Sequence, residues 1–552
     1  MDLNLTDEQL NSLPKDVLIA LFIAMRSELK SANEQLMAVN NKLDTLTEQI
    51  TLSNNYRFGR HTEKGSGLSG QLSFNEDGVF FNEAEAVNDA CPDLKEASIE
   101  EIIRNRRPRP VGKKQKDLEG FEVIQLPLRD VSEEERIKAF SSLDNCRRMD
   151  DEIYQRLIYV PAGWRVEEEH VAVYRSKKGE AKFIKGEAPK YLLRGSYVSP
   201  SLEAAIINAK YVNAAPLRRI EKEFERNGIP ISEQNMAYWT IQCADRYLNR
   251  VTDYMKKLMV KESLLQADET TVNVAKDGRK AGSKSYMWVY RTGPHRNGSI
   301  VLYDYQKTRN HEHPLNFLDG FKGTLVCDGF SGYKTLSRKA GDIRISECWT
   351  HARRKFTDAV KANVNSPQRA RAAQDAIRMI AAIYHADNKL KDLSVEERQK
   401  ARDRDVRPLV DAYFAWIKAK ENDSTIILSE KTRNGFTYSL NQEPYLKAFL
   451  EDGYLPLDNN LTERTIRSFT VGRRNWMTID TVSGAKSSAV IYSLVETAKE
   501  NGLNPYAYFK YLLTELPKLK EFNTDQEESA AMERLLPWSS ELPEECHKRG
   551  RQ

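Results

Sequence analysis

Two short apolar runs, each stopping at an aspartate, constrain this chain most. Leu264-Leu265-Gln266-Ala267 leads into Asp268, and Thr324-Leu325-Val326-Cys327 leads into Asp328. Apolar runs this short, bounded by turn formers, have the length of buried strands rather than of helices. Between them, Tyr286-Met287-Trp288-Val289-Tyr290 and Ile300-Val301-Leu302-Tyr303-Asp304-Tyr305 read as two more strands, with Gly293-Pro294 and Asn297-Gly298 marking their connection. Ile343-Arg344-Ile345 starts a fifth strand, and a helix opens at His351. Three strands in hairpin order followed by strand–helix alternation predict a mixed α/β sheet covered by helices. If the two aspartate strands are neighbours, their carboxylates face each other at one sheet edge.

The chain has 552 residues. Single cores stop growing at roughly 250–300 residues, so several domains are expected. Hydrophobic residues at 40% and charged residues at 30% are the balance of a globular protein. Lys and Arg number 84 against 80 Asp and Glu, a net charge of only +4, so affinity for nucleic acid has to come from local clusters. The cysteines, Cys91, Cys146, Cys243, Cys327, Cys348 and Cys546, form no Cys-x-x-Cys pair. That argues against a disulfide framework or zinc ribbon and for reduced thiols in the cytoplasm. The N-terminus lacks the basic start and cleavage site of a signal peptide, and the longest apolar run, Val17 to Met25, is too short to cross a bilayer.

The periodicity divides the chain into eight stretches. In 1–52, Phe22, Leu29, Leu36, Leu43 and Ile50 recur every seven residues, with Met25, Ala32, Val39 and Leu46 between them, which predicts a coiled-coil helix and association of chains. Stretch 53–130 is a basic segment. It carries Arg57, Arg60 and Lys64 in one cluster and Arg104, Arg106, Arg107, Arg109, Lys113 and Lys114 in a second, proline-interrupted one. An extended arginine strand suits a minor groove or a phosphate track as well as a solvated linker. Residues 131–195 alternate in places, as in Gln155–Val160 and His170–Tyr174, and suggest a small antiparallel unit. Residues 196–255 are helical. Leu217, Ile220 and Phe224 share a face, Asn227-Gly228 stops that helix, and Ser232 caps the next, giving a helix-turn-helix outline that a plain αα-hairpin also satisfies. The sheet occupies 256–356. A helical insertion with a capping box at Ser394–Glu397 follows over 357–456, and helices return over 457–517. The acidic tail 518–552 is expected to be poorly ordered.

Strand-end aspartates joined by a third carboxylate from a helix would make an oxygen-ligand site, which hard cations such as magnesium or manganese choose. Two such ions about 3.5–4 Å apart activate a nucleophile and stabilise the leaving oxygen of a phosphodiester. No His/Cys cluster is expected to compete for a softer metal. Each acid also has a plainer reading. Asp268 can simply end a strand, Asp328-Gly329 is a common turn pair, and Glu463, three residues after Asn460, can belong to a capping box. Glu269 and Asp304 are alternative carboxylates, and periodicity does not choose among them.

An ordered set of motifs adds to this reading. Leu193-Arg194-Gly195-Ser196-Tyr197-Val198-Ser199-Pro200, Ala267-Asp268-Glu269-Thr270, Cys327-Asp328-Gly329-Phe330-Ser331-Gly332-Tyr333 and Cys348-Trp349-Thr350-His351-Ala352-Arg353-Arg354-Lys355-Phe356 come first. Asp458-Asn459-Asn460-Leu461-Thr462-Glu463-Arg464, Gly472-Arg473-Arg474-Asn475-Trp476 and Tyr492-Ser493-Leu494-Val495-Glu496-Thr497-Ala498-Lys499 follow. From about Leu192 to Pro517 the chain thereby resembles the insertion-sequence sixty-six family of bacterial transposases. The resemblance implies an RNase H-like DDE core with a helical insertion before its glutamate, and Asp268, Asp328 and Glu463 as catalytic, metal-holding triad. It implies two magnesium or manganese ions, hydrolysis at the element's ends to free a 3′-OH, and attack of that hydroxyl on target DNA. It also implies terminal inverted-repeat and target DNA as partners, a homodimer or higher oligomer, small accessory proteins, and a cytoplasmic, nucleoid-associated location. The family's cysteine zinc unit has no counterpart here beyond Cys146, so no zinc is expected.

Under that resemblance the basic residues gain a role. His351, Arg353, Arg354 and Lys355 follow the second aspartate's strand, and Arg464, Arg467, Arg473 and Arg474 surround Glu463, where such groups position DNA phosphates. Arg467 also stands four residues from Glu463, the spacing of a helix ion pair. Two rivals remain on the residues alone. His351-Ala352-Arg353-Arg354 with Tyr384 downstream fits a tyrosine recombinase, which would need no metal. A domesticated, catalytically silent DNA-binding protein would be expected to have lost its acids, and all three are present.

Overall fold

The computed structural model describes residues 191–548 apart from 281, 295, 297, 364–365, 424–427, 520–521 and 523. Before residue 191 it describes two short strands and the helical positions Phe22, Ile23, Arg26, Ser27, Lys30, Ser31 and Glu134. Most of the heptad seam, both basic clusters and most of 131–190 lie outside the described residues. The chain divides into two compact units, residues 1–74 with 191–548, and 75–190 with 549–552. In the second unit, β1 (Val173–Arg175) pairs antiparallel with β2 (Phe183–Lys185). Val173 and Tyr174, at the end of the alternating run, thus pair with Lys185 and Ile184.

In the first unit, helices precede the sheet. They are α1 (Pro200–Ile207), α2 (Leu217–Arg226), α3 (Glu233–Cys243) and α4 (Asn249–Met259). The turn after α2 places Gly228 at φ +77, a conformation that favours glycine, and Ser232 caps α3 by accepting from the Asn235 amide, as the sequence predicts. Ile220, Phe224, Met236 and Trp239 are buried, so the inner faces of this helix pair belong to the core.

The sheet contains β3 (Leu264–Lys276), β4 (Lys284–Thr292), β5 (Val301–Gln306), β6 (Gly323–Cys327) and β7 (Ile343–Glu347), in the order β5-β4-β3-β6-β7. β3, β4 and β5 are antiparallel neighbours, while β6 and β7 run parallel to β3. Helix α5 (Glu312–Phe317) follows β5, and α6 (Ser331–Ala340) connects β6 to β7. The expected end of the first strand at Asp268 is corrected, since β3 runs eight residues further. Leu264–Ala267 is buried on both sides and reads as an apolar run, whereas the continuation is partly solvated and reads as alternation around Val272 and Val274.

Helices α7 (Trp349–Ala362), α8 (Pro367–Asn388), α9 (Val395–Ala401), α10 (Arg407–Glu421), α11 (Glu430–Asn441) and α12 (Glu443–Leu446) form the insertion and its approach. They build a second hydrophobic cluster around Trp349, Phe356, Tyr413, Phe414 and Phe436, which reaches the sheet at Leu264 and Val326. The expected Ser394–Glu397 capping box is present. The chain then returns to the sheet as α13 (Asn460–Trp476), β8 (Ile479–Thr481), which pairs with the far end of β3, α14 (Val482–Glu500) and α15 (Pro505–Glu515). Helix α14 covers the open edge of β5 with hydroxyls. Ser493 accepts from the Tyr303 amide at 2.7 Å, while Thr497 accepts from the Val301 amide at 3.0 Å and donates to its carbonyl. Edge groups that would otherwise be unpaired are thereby satisfied.

The expectation of a poorly ordered tail is also corrected. Helix α16 (Asp525–Glu533) and the residues after it bury Met532, Leu535, Leu536, Leu542 and Cys546 in the main core, and the Tyr508 hydroxyl donates to the Leu535 carbonyl at 2.7 Å. The acidic average of the segment conceals enough apolar side chains to dock it. Among the described residues no helix is long and apolar enough to cross a membrane.

Candidate active site

The register of the central strands brings the two aspartates together. Leu264, Leu265 and Gln266 of β3 lie opposite Thr324, Leu325 and Val326 of β6. Two residues further along each parallel strand stand Asp268 and Asp328. Asp268 is within β3, where the pairing with β6 has ended, and its Oδ1 accepts from the Glu269 amide at 2.8 Å. Asp328 has left β6, and its Oδ1 accepts from the Phe330 amide at 3.0 Å. The turn reading of Asp328-Gly329 therefore holds, and the turn fixes the carboxylate.

The pleat separates Asp268 from Glu269, which sequence periodicity could not do. Successive strand residues point to opposite faces. Gln266 and Asp268 share the face on which α13 packs, and the Gln266 amide nitrogen donates to the Asp458 carbonyl at 3.3 Å. Glu269 points to the α6 face, where Tyr333 donates to its Oε2 at 2.8 Å and Arg309 Nε donates to Oε1 at 2.6 Å. The Arg309 guanidinium stacks 4.0 Å from the Phe330 ring centre and lies 3.5 Å from Asp328. Asp304 lies two strands away on β5, where it lines a cavity of about 370 Å³ with Lys256 and Lys486, and burial pushes its carboxyl up to about 6.

Glu463 sits in the first turn of α13. It closes no capping box, because the N-cap residue Asn459 makes no side-chain cap bond. Instead its carboxylate receives Arg354 Nη2 at 3.2 and 3.4 Å and faces His351 Nε2 at 3.8 Å. The turn that carries it is tied to the sheet twice. Fully buried Asn459 donates from Nδ2 to the Ala267 carbonyl, next to Asp268, at 2.8 Å, and accepts from Thr462 at 2.6 Å. Buried Arg291 of β4 donates to the Leu461 carbonyl at 3.2 Å and to Thr465 Oγ1 at 3.1 Å. Sequence reasoning passed over both residues. A single Asn within Asp458-Asn459-Asn460 or one Arg within a strand carries no periodic signal.

The electrostatics of Asp268 agree with its position. Burial holds the Asp268 carboxyl well above the usual carboxylate range, and Glu269, Asp328 and Glu463 push it in the same direction. Glu269 is raised by burial and by Asp328, with Arg309 and Tyr333 opposing. Glu347, at the end of β7, is a further acid that the sequence did not single out. Its side chain is inaccessible, neither oxygen has a hydrogen-bond partner, and burial pushes it up to about 7 despite Lys334 at 3.6 Å. Several buried carboxylates with raised pKa values thus crowd one end of the sheet, the arrangement that marks a candidate site.

The expectation that no His/Cys cluster accompanies these acids is overturned. Cys348, His351 and Glu463 bring one ligand atom each to within 4.8 Å of one another. The sequence separates Cys348 from Glu463 widely, and only the packing of α7 against α13 joins them.

Among the other predicted site residues, Arg354 and Lys355 are exposed on α7, Arg353 and His351 are half-buried, and Arg464, Arg467 and Arg474 are exposed on α13. Arg473 is engaged with the sheet, donating to Thr270 Oγ1 at 2.9 Å and to the Thr271 carbonyl. Arg57, Arg60, Lys64, Arg104, Arg106, Arg107, Arg109, Lys113 and Lys114 lie outside the described residues. Tyr384, the nucleophile of the recombinase rival, is only 4% exposed in the insertion, with its hydroxyl 3.0 Å from Thr350 Oγ1 and its phenol held up by burial. A buried, protonated phenol cannot reach a DNA phosphate.

Comparison with known proteins is consistent along the chain. Residues 195–487 match the family model described as the IS66 family of transposases, and residues 493–538 match the IS66 C-terminal element. The uncharacterized protein y4jD of Sinorhizobium fredii is 28% identical over 463 residues, covering 82% of this chain and 86% of its own. The uncharacterized protein y4qI of the same organism is 26% identical over 561 residues, covering 96% and 97%.

Proposed function

This chain belongs to the IS66 transposase family, and from that premise we propose that it cuts and joins DNA by DDE chemistry, with Asp268, Asp328 and Glu463 as the catalytic triad. The observation that carries the reading is their convergence. Two aspartates reach the same end of adjacent parallel strands, and a helix pinned to that end by Asn459 and Arg291 delivers the glutamate. A sheet of three antiparallel strands continued by two parallel ones, entered again by a helix after a helical insertion, supports an RNase H-like core.

The donor chemistry suits a pair of hard divalent cations, magnesium or manganese. All three donors are carboxylates, and the Asp268 carboxyl, raised by burial first and by its acidic neighbours second, is one whose charge a cation would stabilise. Asp268 and Asp328 would hold the ions from the sheet and Glu463 from α13. When bound, the ions supply nucleophile activation and stabilisation of the leaving oxygen. The protein's own residues do the positioning. The Asp328 turn and the Asn459 bridge fix the carboxylates, and Arg309 keeps Glu269 turned to the other face. Arg354 and His351 hold Glu463, and Arg354, with Lys355, Arg464, Arg467 and Arg474, offers positive charge to the DNA backbone. Hydrolysis at an element end breaks one phosphodiester and leaves a 3′-OH. That hydroxyl then attacks a target phosphodiester, forming one P–O bond as another breaks.

Terminal inverted repeats and target DNA are the partners in this reading, held also by the basic clusters of 53–130. Chains associate through the heptad seam of 1–52, small accessory proteins assist, and the protein works in the bacterial cytoplasm at the nucleoid. The test is magnesium-dependent strand transfer on DNA carrying candidate terminal repeats. Asp328→Asn should lower transfer by on the order of 10³-fold or more while end binding in a mobility shift persists. Normal transfer by that variant would sink the assignment.

A further inference from the structure

We propose that Cys348, His351 and Glu463 form a second metal site, for a soft divalent cation such as zinc, whose occupation withdraws Glu463 from the two aspartates and silences the enzyme. The site itself rests on geometry alone. Its inhibitory consequence rests on the triad reading above.

Cys348 is the N-cap of α7 and His351 lies three residues later, so both side chains share one helix face above the first turn. Glu463 arrives from α13, and the three ligand atoms already lie within 4.8 Å of one another. Ligand atoms around a tetrahedral zinc stand about 3.5 Å apart, so shifts of about an ångström would close the trio on an ion. A sulfur, an imidazole nitrogen and a carboxylate oxygen, with a fourth position open to water, are a zinc-type donor set. They suit magnesium poorly, because it prefers oxygen throughout.

Two independent features point to a ligand here. His351 Nε2 faces Glu463 at 3.8 Å, while its Nδ1 is buried without a hydrogen-bond partner, so no hydrogen bond fixes the ring against a metal. The Cys348 sulfur accepts from the Asn459 amide at 3.1 Å and stands at a helix N-terminus, and both favour a thiolate once a cation is present. Without a cation, burial keeps Cys348 protonated. Binding would therefore form the metal–sulfur bond, break the S–H bond and release that proton to solvent, with no change of oxidation state. Glu463 and His351 are the partly solvated members of the trio, at 17% and 20% side-chain exposure, and form the route by which the ion enters.

Glu463 belongs to both sets of ligands and cannot serve both at once. Hard ions draw it toward Asp268 and Asp328, whereas a soft ion anchored by Cys348 and His351 draws it the other way. The transposase would thus be active in magnesium and held inactive by a stoichiometric amount of zinc.

The probe is cobalt(II), titrated into the full-length protein under a thiol-free reductant and read by thiolate-to-cobalt charge-transfer absorption. One equivalent should bind with that band. Cys348→Ser should abolish it, and His351→Ala should weaken binding at least tenfold, since losing even an outer-shell partner costs about 10–100-fold. Asp268→Asn and Asp328→Asn should retain it. Absence of the band, or its survival in Cys348→Ser, would overturn the site. Should Cys348→Ser fail to fold, full-affinity charge transfer in His351→Ala would overturn it equally. The second arm is strand transfer in magnesium with one equivalent of zinc, each protein compared with its own zinc-free rate. Wild type should lose at least tenfold and the two site variants much less. Equal sensitivity would overturn the regulatory consequence. If Asp328→Asn still transfers strands, the triad reading fails while the cobalt result stands.

Discussion

The acids at the end of the sheet and the acid at the heart of the insertion show two opposite treatments of a buried carboxylate. In the insertion, Asp387 has two arginines. Arg402, wholly inaccessible, donates from Nε at 2.7 Å and from Nη2 at 3.2 Å, and Arg398 adds a contact at 3.2 Å. Arg402 spends its remaining donors on the Phe449 and Asp452 carbonyls at 2.9 and 3.0 Å. That pair is nearly complete, with only the Arg398 Nε of the cluster left buried without a partner. At the sheet end, Asp268 has one backbone amide, two further acids beside it and its neighbour Glu269 across the strand, and burial disfavours its charge. Saturated charge holds a fold together, while unsaturated charge is held in place by the fold for something else to complete.

The largest expected consequence of this contrast is that Asp268→Asn separates activity from stability. Strand transfer should fall by on the order of 10³-fold, as for other units that act together. In chelator, the same variant should unfold at a higher temperature than wild type at neutral pH. The Asp268 carboxyl is raised in the folded state, so its stabilising protonation is complete below the ordinary value of 3.8 and is lost as pH rises through the folded value. Thermal unfolding in chelator from about pH 5 to pH 8 should show wild type losing stability faster than the variant. A variant less stable at neutral pH would break the comparison.

The next largest effect belongs to the insertion. Asp387→Ala leaves Arg402 charged, buried and unpaired, which should cost about 3–5 kcal/mol in urea unfolding. Replacing both partners, Asp387→Leu with Arg402→Met, should recover most of that loss, because the charge that needed a partner is gone. A double variant as unstable as the single one would mean that the carbonyl contacts of Arg402, rather than its ion pair, hold the insertion.

Much of this contrast was legible in the sequence, for physical reasons that differ by element. Leu264–Ala267 and Leu325–Cys327 are buried, so they read as apolar runs and located both aspartates. Periodicity did not choose Asp268 over Glu269, and only the family motifs did, because which face of β3 receives α13 and which receives Tyr333 is a matter of packing. Glu463 was distinguished from a capping residue only by the family motifs, and its contacts with Arg354 and His351 arise from packing between helices far apart in sequence. The same packing hid the nearness of Cys348. The tail beyond Pro517 was misread because its acidic average outweighed a few well-spaced apolar residues. The heptad seam and the basic clusters, clear as patterns, lie outside the described residues and remain expectations.

Asn459 joins the two regimes and yields the smallest and most diagnostic effect. It is neutral, fully buried and fully used. Its side chain spans from the Ala267 carbonyl to Thr462, its amide meets Cys348, and its carbonyl accepts from the Glu463 amide at 3.1 Å. Like Asp387 it is saturated, yet what it holds is the spacing between the unsaturated acids of β3 and α13. Asn459→Ala should cost about 1–3 kcal/mol of stability, the range for leaving a buried carbonyl unpaired. A small displacement of Glu463 should cost more in rate than in binding, since misplacement by about an ångström can lower a rate by about 10²-fold. Single-turnover strand transfer should therefore fall by tenfold or more while the Kd for end DNA stays within a factor of about two. Asn459→Asp keeps the acceptor for Thr462 but loses the donor to Ala267 and adds a further carboxylate, so it should be the worse of the two. Equal losses of rate and of DNA affinity in Asn459→Ala would show that the bridge serves the fold alone, and that the acids keep their spacing without it.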